Sequence, residues 1–223
     1  MILADVGNRH VHIWTHGKVA HFSLMDAIAA YGTHRVCYIN VSEANSVTLA
    51  ALEDWVDISD ALSIEGEYAG MGIDRKALCL SHDSGIFVDA GSAITVDRVE
   101  AGVYQGGFIL PGIHAYAKAY AQISPVLDVA LNKETALDIL PKNTRDSVSF
   151  GTMASIIATI EKIREGLPLY FAGGDGAWLS HYFKEALFDE TLVFQGMQKA
   201  AHMDPLTSSG IKNQKLAHKD IRC

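Results

Sequence analysis

The sequence is short of cysteine, proline and positive charge, and it contains no long apolar run. Its three cysteines, Cys37, Cys79 and Cys223, are odd in number and form neither a CxxC pair nor a Cys/His ligand spacing. That argues against a disulfide framework or a structural zinc site, and all three read as free thiols in a reducing compartment. No stretch approaches the ~20 apolar residues that span a bilayer. Asp5, Asn8, Arg9 and His10 interrupt the N-terminus at once, so no signal peptide is expected and the chain reads as cytoplasmic and soluble. Eighteen Lys and Arg against 26 Asp and Glu leave a formal net charge of −8, which disfavours nucleic acid or an anionic membrane as partner. GxGxxG, GxxxxGK[ST] and GxSxG are all missing, which argues against a Rossmann dehydrogenase, a P-loop kinase and a hydrolase with a nucleophile elbow. His114, His181, His202 and His218 lack the spacing of a metal cluster, and His10 and His12 lie on a strand beside no third ligand.

What is present is a globular composition, 49% hydrophobic and 20% charged, in 223 residues, enough for one large core or two modest ones. Met1–Ala4 reads as a strand that stops at Asp5-Val6-Gly7-Asn8 and resumes in the alternation of residues 10–14, a β-hairpin with a glycine corner. Val19–Phe22 supplies a third strand, Leu24–Tyr31 a short helix, Arg35–Val41 a strand, Ser46–Trp55 a helix, and Asp57–Leu62 a strand or loop. A second passage opens near Ala77 with the apolar runs 78–80 and 86–88 and reaches Asp89-Ala90-Gly91-Ser92, again followed by alternating β-formers. Glycine-rich residues 100–112 predict a hairpin and turn, and Ile113–Ile123 a helix. Lys133–Leu140 and Ser147–Glu165 carry helical patterns, the latter ended by Gly166-Leu167-Pro168. Leu169–Ala172 reads as a strand entering Gly173-Gly174-Asp175, with a helix over Ala177–Leu187 and a polar tail from His202 that is expected to fray or pack loosely. A strand-hairpin-strand-helix plan occurring twice predicts an α/β chain of two related lobes, residues 1–80 and 81–223, with both Asp-x-Gly corners facing a cleft.

These corners carry the first chemistry. Gly7 lets the backbone approach an anion while Asp5 suits Mg²⁺ or its waters. Ser92 and Thr95 add hydroxyls suited to phosphate at the second corner. Gly70-Met71-Gly72-Ile73-Asp74-Arg75 is the second centre. It has a plain reading, a loop whose Asp caps the next helix, and a functional one. An arginine neutralises an acceptor carboxylate or phosphoryl oxygens, and the neighbouring aspartate takes a proton from an attacking hydroxyl. Gly106-Gly107-Phe108-Ile109-Leu110-Pro111-Gly112 suits either a tight loop or the wall of an acceptor pocket. Gly173-Gly174-Asp175 suits an adenine or ribose platform. Asn143 reads first as the cap of the long helix.

Taken together, DVGN at 5–8, GIDR at 72–75, DAGSAITVD at 89–97, GGFILPG at 106–112, NT at 143–144 and AGGD at 172–175 resemble, in order and spacing, a type III pantothenate kinase. That family belongs to the acetate and sugar kinase, Hsp70 and actin superfamily. The resemblance implies duplicated actin-like (ribonuclease H-like) domains with a nucleotide cleft, a homodimer, and transfer of the ATP γ-phosphoryl to pantothenate with Mg²⁺ and K⁺ or NH₄⁺, the first step toward coenzyme A. It places Asp5, Val6, Gly7, Asn8 and Arg9 in the first phosphate motif, and Gly91, Ser92, Gly173 and Gly174 on the nucleotide. It implies that Asp74 is the general base, that Tyr68, Gly72, Ile73, Arg75, Gly107 and Thr144 line the acceptor, and that Asp89 binds the monovalent cation. Two positions depart from the family: Arg9 replaces the usual Thr or Ser, and Ser92 the usual Thr. Two competing readings remain, a kinase of the same fold for another small hydroxy acid or sugar, and a catalytically silent regulatory protein. Retention of Asp5, Asp74, Arg75 and Asp89 together favours an enzyme.

Overall fold

The computed structural model describes residues 1–202; the polar tail expected to fray lies outside them from residue 203. The described residues form two compact units. One holds Met1–Asp83, Gly102–Tyr104 and the described residues from Glu190; the other holds Ser84–Ala101 and Gln105–Asp189.

The first unit is built on β1 (Ile2–Val6), β2 (Val11–Thr15), β3 (Lys18–Phe22), β4 (Val36–Asn40) and β5 (Trp55–Asp57), in the order β3-β2-β1-β4-β5. β1 is antiparallel to β2 and parallel to β4. Alternation puts Ala4, Val6, Val11, Ile13, Val36 and Tyr38 on one face, where Ala27 and Leu49 pack against them from α1 (Leu24–Tyr31) and α2 (Ser46–Ala50). Ser23 caps α1 by accepting from the Asp26 amide at 3.2 Å, and this helix spans the residues its pattern predicts. The helix expected through Trp55 instead stops at Ala50. Trp55 opens β5, where it is buried, lies 6.0 Å from the Tyr38 ring and donates its indole N–H to the Tyr31 carbonyl at 3.2 Å. Burying that indole in the sheet outweighs another turn of helix.

The apolar run 78–80 belongs to α3 (Ile73–Leu80), whose Ala77, Leu78 and Cys79 are buried. Cys79 is a free buried thiol, whereas Cys37 on β4 is bonded, which corrects the expectation of three free cysteines. Cys223 lies outside the described residues. In α7 (Leu192–His202), Gly196 lies directly on the Ala77 backbone of α3, with no room for a side chain. Gly196→Ala is expected to cost about 2 kcal/mol and lower the melting temperature by roughly 4–8 °C, read by thermal denaturation.

The second sheet is β6 (Gly85–Ala90), β7 (Ala93–Glu100), β8 (Val103–Pro111), β9 (Leu169–Ala172) and β10 (Ala186–Phe188), in the order β10-β9-β6-β7-β8, and all of it lies in the second unit except Val103 and Tyr104 at the start of β8. Its first strand is antiparallel to its second and parallel to its fourth, as in the other sheet. The strand orders are therefore the same, and the repeat seen in sequence is a structural duplication. Two mixed sheets of one topology, each flanked by helices, make the duplicated actin-like fold. The core is Ile86, Val88, Ile94, Val96 and Phe171 from the sheet with Ile113 of α4 (Ile113–Ile123) and Met153, Ile156 and Ile160 of α5 (Thr144–Arg164).

Two helices expected here are not formed as written. Lys133–Leu140 is irregular, and the residue before it is tied to α5: the Asn132 backbone N–H donates to Ser149 Oγ and Asn132 Nδ2 to Asp146 Oδ1, both at 2.8 Å. The helix expected over Ala177–Leu187 is cut to α6 (Gly176–Ser180). Glu185 then takes a left-handed φ of 59° and the chain enters β10, where pairing with β9 replaces helical bonds. Among the described residues no helix is long and apolar enough to cross a membrane.

Candidate functional site

Asp5 is the penultimate residue of β1, in register with His12 of β2 and Ile39 of β4. Beyond buried Val6 the chain turns tightly. The Gly7 amide donates to the His10 carbonyl at 3.0 Å, and a Cβ at Gly7 would stand 3.1 Å from that oxygen. Asn8 and Arg9 are exposed at the tip. The second sheet repeats the plan. Asp89 is penultimate on β6, in register with Thr95 and Ala172, and the Gly91 amide donates to the Ala93 carbonyl at 2.9 Å. Ser92 is exposed there.

In the second unit three glycine segments distant in sequence meet. The Gly112 amide donates to the Ser92 carbonyl at 3.2 Å, and its α-carbon is pressed against the Gly91 and Ser92 carbonyls. Gly173, at φ +83°, abuts the Asp89 carboxylate and the Ala90 carbonyl, and the Asp175 amide donates to that same carbonyl at 2.9 Å. Lys133 completes this edge, with its Nζ 3.0 Å from Asp175 Oδ1 and 4.5 Å from the Trp178 ring centre. Lys133 was not singled out from sequence, since its contact crosses 42 residues. Thr95 Oγ1 is buried without a hydrogen-bond partner.

The start of α3 gathers the second group, all in the first unit. Gly72 is the N-cap, Ile73 the first helical residue and Asp74 the second. Asp74 Oδ1 accepts from the Arg75 amide at 2.8 Å, at the end of the helix where the macrodipole favours an anion. A Cβ at Gly72 would lie 2.6 Å from that oxygen, so glycine leaves the carboxylate its place. Arg75 is 7% exposed. Its Nη1 donates to the Tyr68 hydroxyl at 2.7 Å and its Nη2 to the Tyr104 hydroxyl at 3.4 Å. The Tyr68 ring, 47% exposed, lies 5.9 Å from the guanidinium carbon, so half-exposed aromatic surface leads down to a buried cation. Tyr104 was not legible beforehand. It arrives because its amide donates to the Glu65 carbonyl at 2.7 Å, a long-range bridge that no local pattern announces.

Thr144 and Gly107 lie in the second unit. Thr144 is the exposed first residue of α5, and Asn143 is its cap, accepting from the Asp146 amide at 2.9 Å. Side-chain donation from Asn132, then from Asn143, holds the Asp146 carboxyl below the usual carboxylate range. Thr144 lines an open groove of about 480 Å³ with Tyr120, Leu127, Lys142 and Ser147. Gly107 is exposed on β8, next to Gly106 at φ +126°, and is not part of that groove. Among the described residues no three His, Cys, Asp or Glu side chains converge to hold a metal ion.

Residues 41–165 match the family described as type III pantothenate kinase. A type III pantothenate kinase of Helicobacter hepaticus is 39% identical over 200 residues, covering 89% of this chain and 97% of the relative. One from Campylobacter jejuni is 36% identical over 205 residues, covering 92% and 98%. A solved structure from Campylobacter jejuni, described as a conserved Baf family transcriptional activator, superposes with a TM-score of 0.83 at 35% identity, covering 92% of this chain and all of that one. With the duplicated corners, the family match and relatives aligned over nearly their whole length, the chain belongs to the type III pantothenate kinase family, enzymes that phosphorylate pantothenate with ATP.

Proposed function

We propose that this chain transfers the γ-phosphoryl of ATP to the primary hydroxyl of pantothenate, giving 4′-phosphopantothenate, as a cytoplasmic homodimer. The observation that carries the reading is the pairing, in the first turn of α3, of the Asp74 carboxylate with the buried, tyrosine-held Arg75. Asp74 accepts the hydroxyl proton as the new O–P bond forms and the bond to ADP breaks. The amide of Arg75 holds the Asp74 carboxylate in place, while the Arg75 guanidinium faces the acceptor. Tyr68, Gly72, Ile73, Gly107 and Thr144 are the residues assigned to the acceptor.

Asp5, Val6, Gly7, Asn8, Arg9, Gly91 and Ser92 are assigned to the nucleotide phosphates, and Gly173 and Gly174 to the adenosine. The backbone N–H groups of these turns orient the phosphates, and Arg9 offers a cation where relatives offer a hydroxyl. Mg²⁺, when bound through water at Asp5, supplies charge neutralisation to the phosphates. The residues at Asp89 suit a monovalent cation. Its carboxylate faces a glycine in place of a side chain, and the partnerless Thr95 oxygen stands across the β6–β7 register from it. Ile123, Val126, Ile139 and Leu140 are exposed apolar side chains that a second copy would cover.

The test is ATP-dependent phosphorylation of pantothenate by the purified chain, with potassium or sodium as the sole monovalent cation. Product with potassium and little with sodium is the expected outcome. No product in either, from protein that still binds ATP, would move the assignment to another hydroxy acid. After a negative acceptor panel it would move to the regulatory role given for the Campylobacter jejuni structural relative.

A further inference from the structure

His12 and His21 face each other across the β2–β3 pair, as direct Cα partners, so both imidazoles project from the same side of the sheet. Their rings meet edge to face, with centres 4.8 Å apart and the two Nδ1 atoms 2.6 Å apart. That is at the short end of the ~2.7–3.2 Å usual for an N–H donor. Two neutral imidazoles so placed can keep only one hydrogen between them, and the second nitrogen contributes its lone pair. The backbone ladder of β2 and β3 fixes the spacing of the two residues, so the pair is oriented before any ligand arrives.

We propose that His12 and His21 form a two-imidazole binding site for a late first-row divalent cation such as Ni²⁺ or Zn²⁺, with water completing the coordination. Imidazole nitrogen suits these borderline ions, whereas Mg²⁺ prefers oxygen and keeps its waters. Because no three ligating side chains converge among the described residues, the site is an open one and not a closed structural centre. On binding, the hydrogen held between the rings relocates to Nε2 of the same imidazole through solvent. Both Nδ1 lone pairs then point at the ion, and no proton is released overall. Metal–nitrogen bonds of ~2.0–2.1 Å at tetrahedral angles need the two nitrogens ~3.3 Å apart. A small side-chain opening from 2.6 Å reaches that spacing, and His21 is exposed and able to move. The inference does not rest on the kinase reading, since no step of phosphoryl transfer uses either histidine.

The experiment is isothermal titration of the purified full chain with nickel chloride at neutral pH in chelator-free buffer. One saturable equivalent is expected, accompanied by a nickel-dependent rise in melting temperature. His21→Ala, an exposed position whose change should leave the metal-free melt unaltered, is expected to lose both the saturable phase and the rise. His114→Ala, which alters an exposed histidine of the other unit, is expected to keep both. A parent chain with no saturable phase overturns the proposal. So does a His21→Ala variant that still binds, which would place the ion on other histidines or cysteines of the chain. The expected loss in His12→Ala supports the pair, and if that variant does not fold, His21→Ala decides alone.

Discussion

Asp74→Asn is expected to lower kcat for pantothenate phosphorylation by about two to four orders of magnitude, the contribution typical of a positioned general base. Asparagine has nearly the same shape, and its Oδ1 can still accept from the Arg75 amide as the aspartate does at 2.8 Å. The helix start therefore keeps its local bond, and the melting temperature should stay close to that of the parent. ATP binding should also survive, because the residues assigned to the nucleotide lie at the end of β1, in the turns after β1 and β6 and in the Gly173 turn, and not on α3. What is lost is the capacity to take a proton from the acceptor. Steady-state kinetics, a nucleotide-binding titration and a thermal melt on the same preparation separate these effects. A variant with unchanged kcat would remove Asp74 from the chemistry. A variant that loses ATP binding and stability together would make it a structural residue.

Gly173→Ala should be the most damaging single methyl in the second unit. The residue has φ +83°, a conformation that costs an alanine about 1–2 kcal/mol. Its Cβ would collide with the Asp89 carboxylate and stand 2.6 Å from the Ala90 carbonyl oxygen. The second obstacle cannot swing away, since Ala90 is strand backbone. Strain and overpacking together are expected to cost about 3 kcal/mol or more. Displacing Asp89 should also remove activation by potassium. Gly174→Ala is the internal control, because nothing lies within 4 Å of a Cβ there. It should melt like the parent, so any rise in its KM for ATP reports contact with nucleotide and not loss of fold. If Gly173→Ala melts normally and still responds to potassium, the close packing of Asp89 on this turn does not matter to the enzyme.

The sequence by itself determined the elements whose instructions are local. Period-two alternation after each Asp-x-Gly corner defined the two hairpins. The patterns over Leu24–Tyr31 and Ile113–Ile123 gave helices that form over those same residues. Asn143 marked the cap of α5, and its family of glycine motifs, read in order, pointed to the chemistry. What the tertiary structure alone decided was everything that depends on a partner far along the chain. Trp55 becomes strand because β4 and the Tyr31 carbonyl are there to receive it, and residues 186–188 become strand because β9 offers a parallel edge. Lys133 and Tyr104 join their sites through contacts that cross 42 and 29 residues. α7 is added to the first unit by the fit of Gly196 on Ala77, from the opposite end of the described chain. The physical reason is common to all of them. A cap or an alternating pattern acts between neighbours and is written in consecutive residues, whereas parallel pairing, glycine-to-backbone contact and the burial of a charged side chain gain free energy only after distant segments have met.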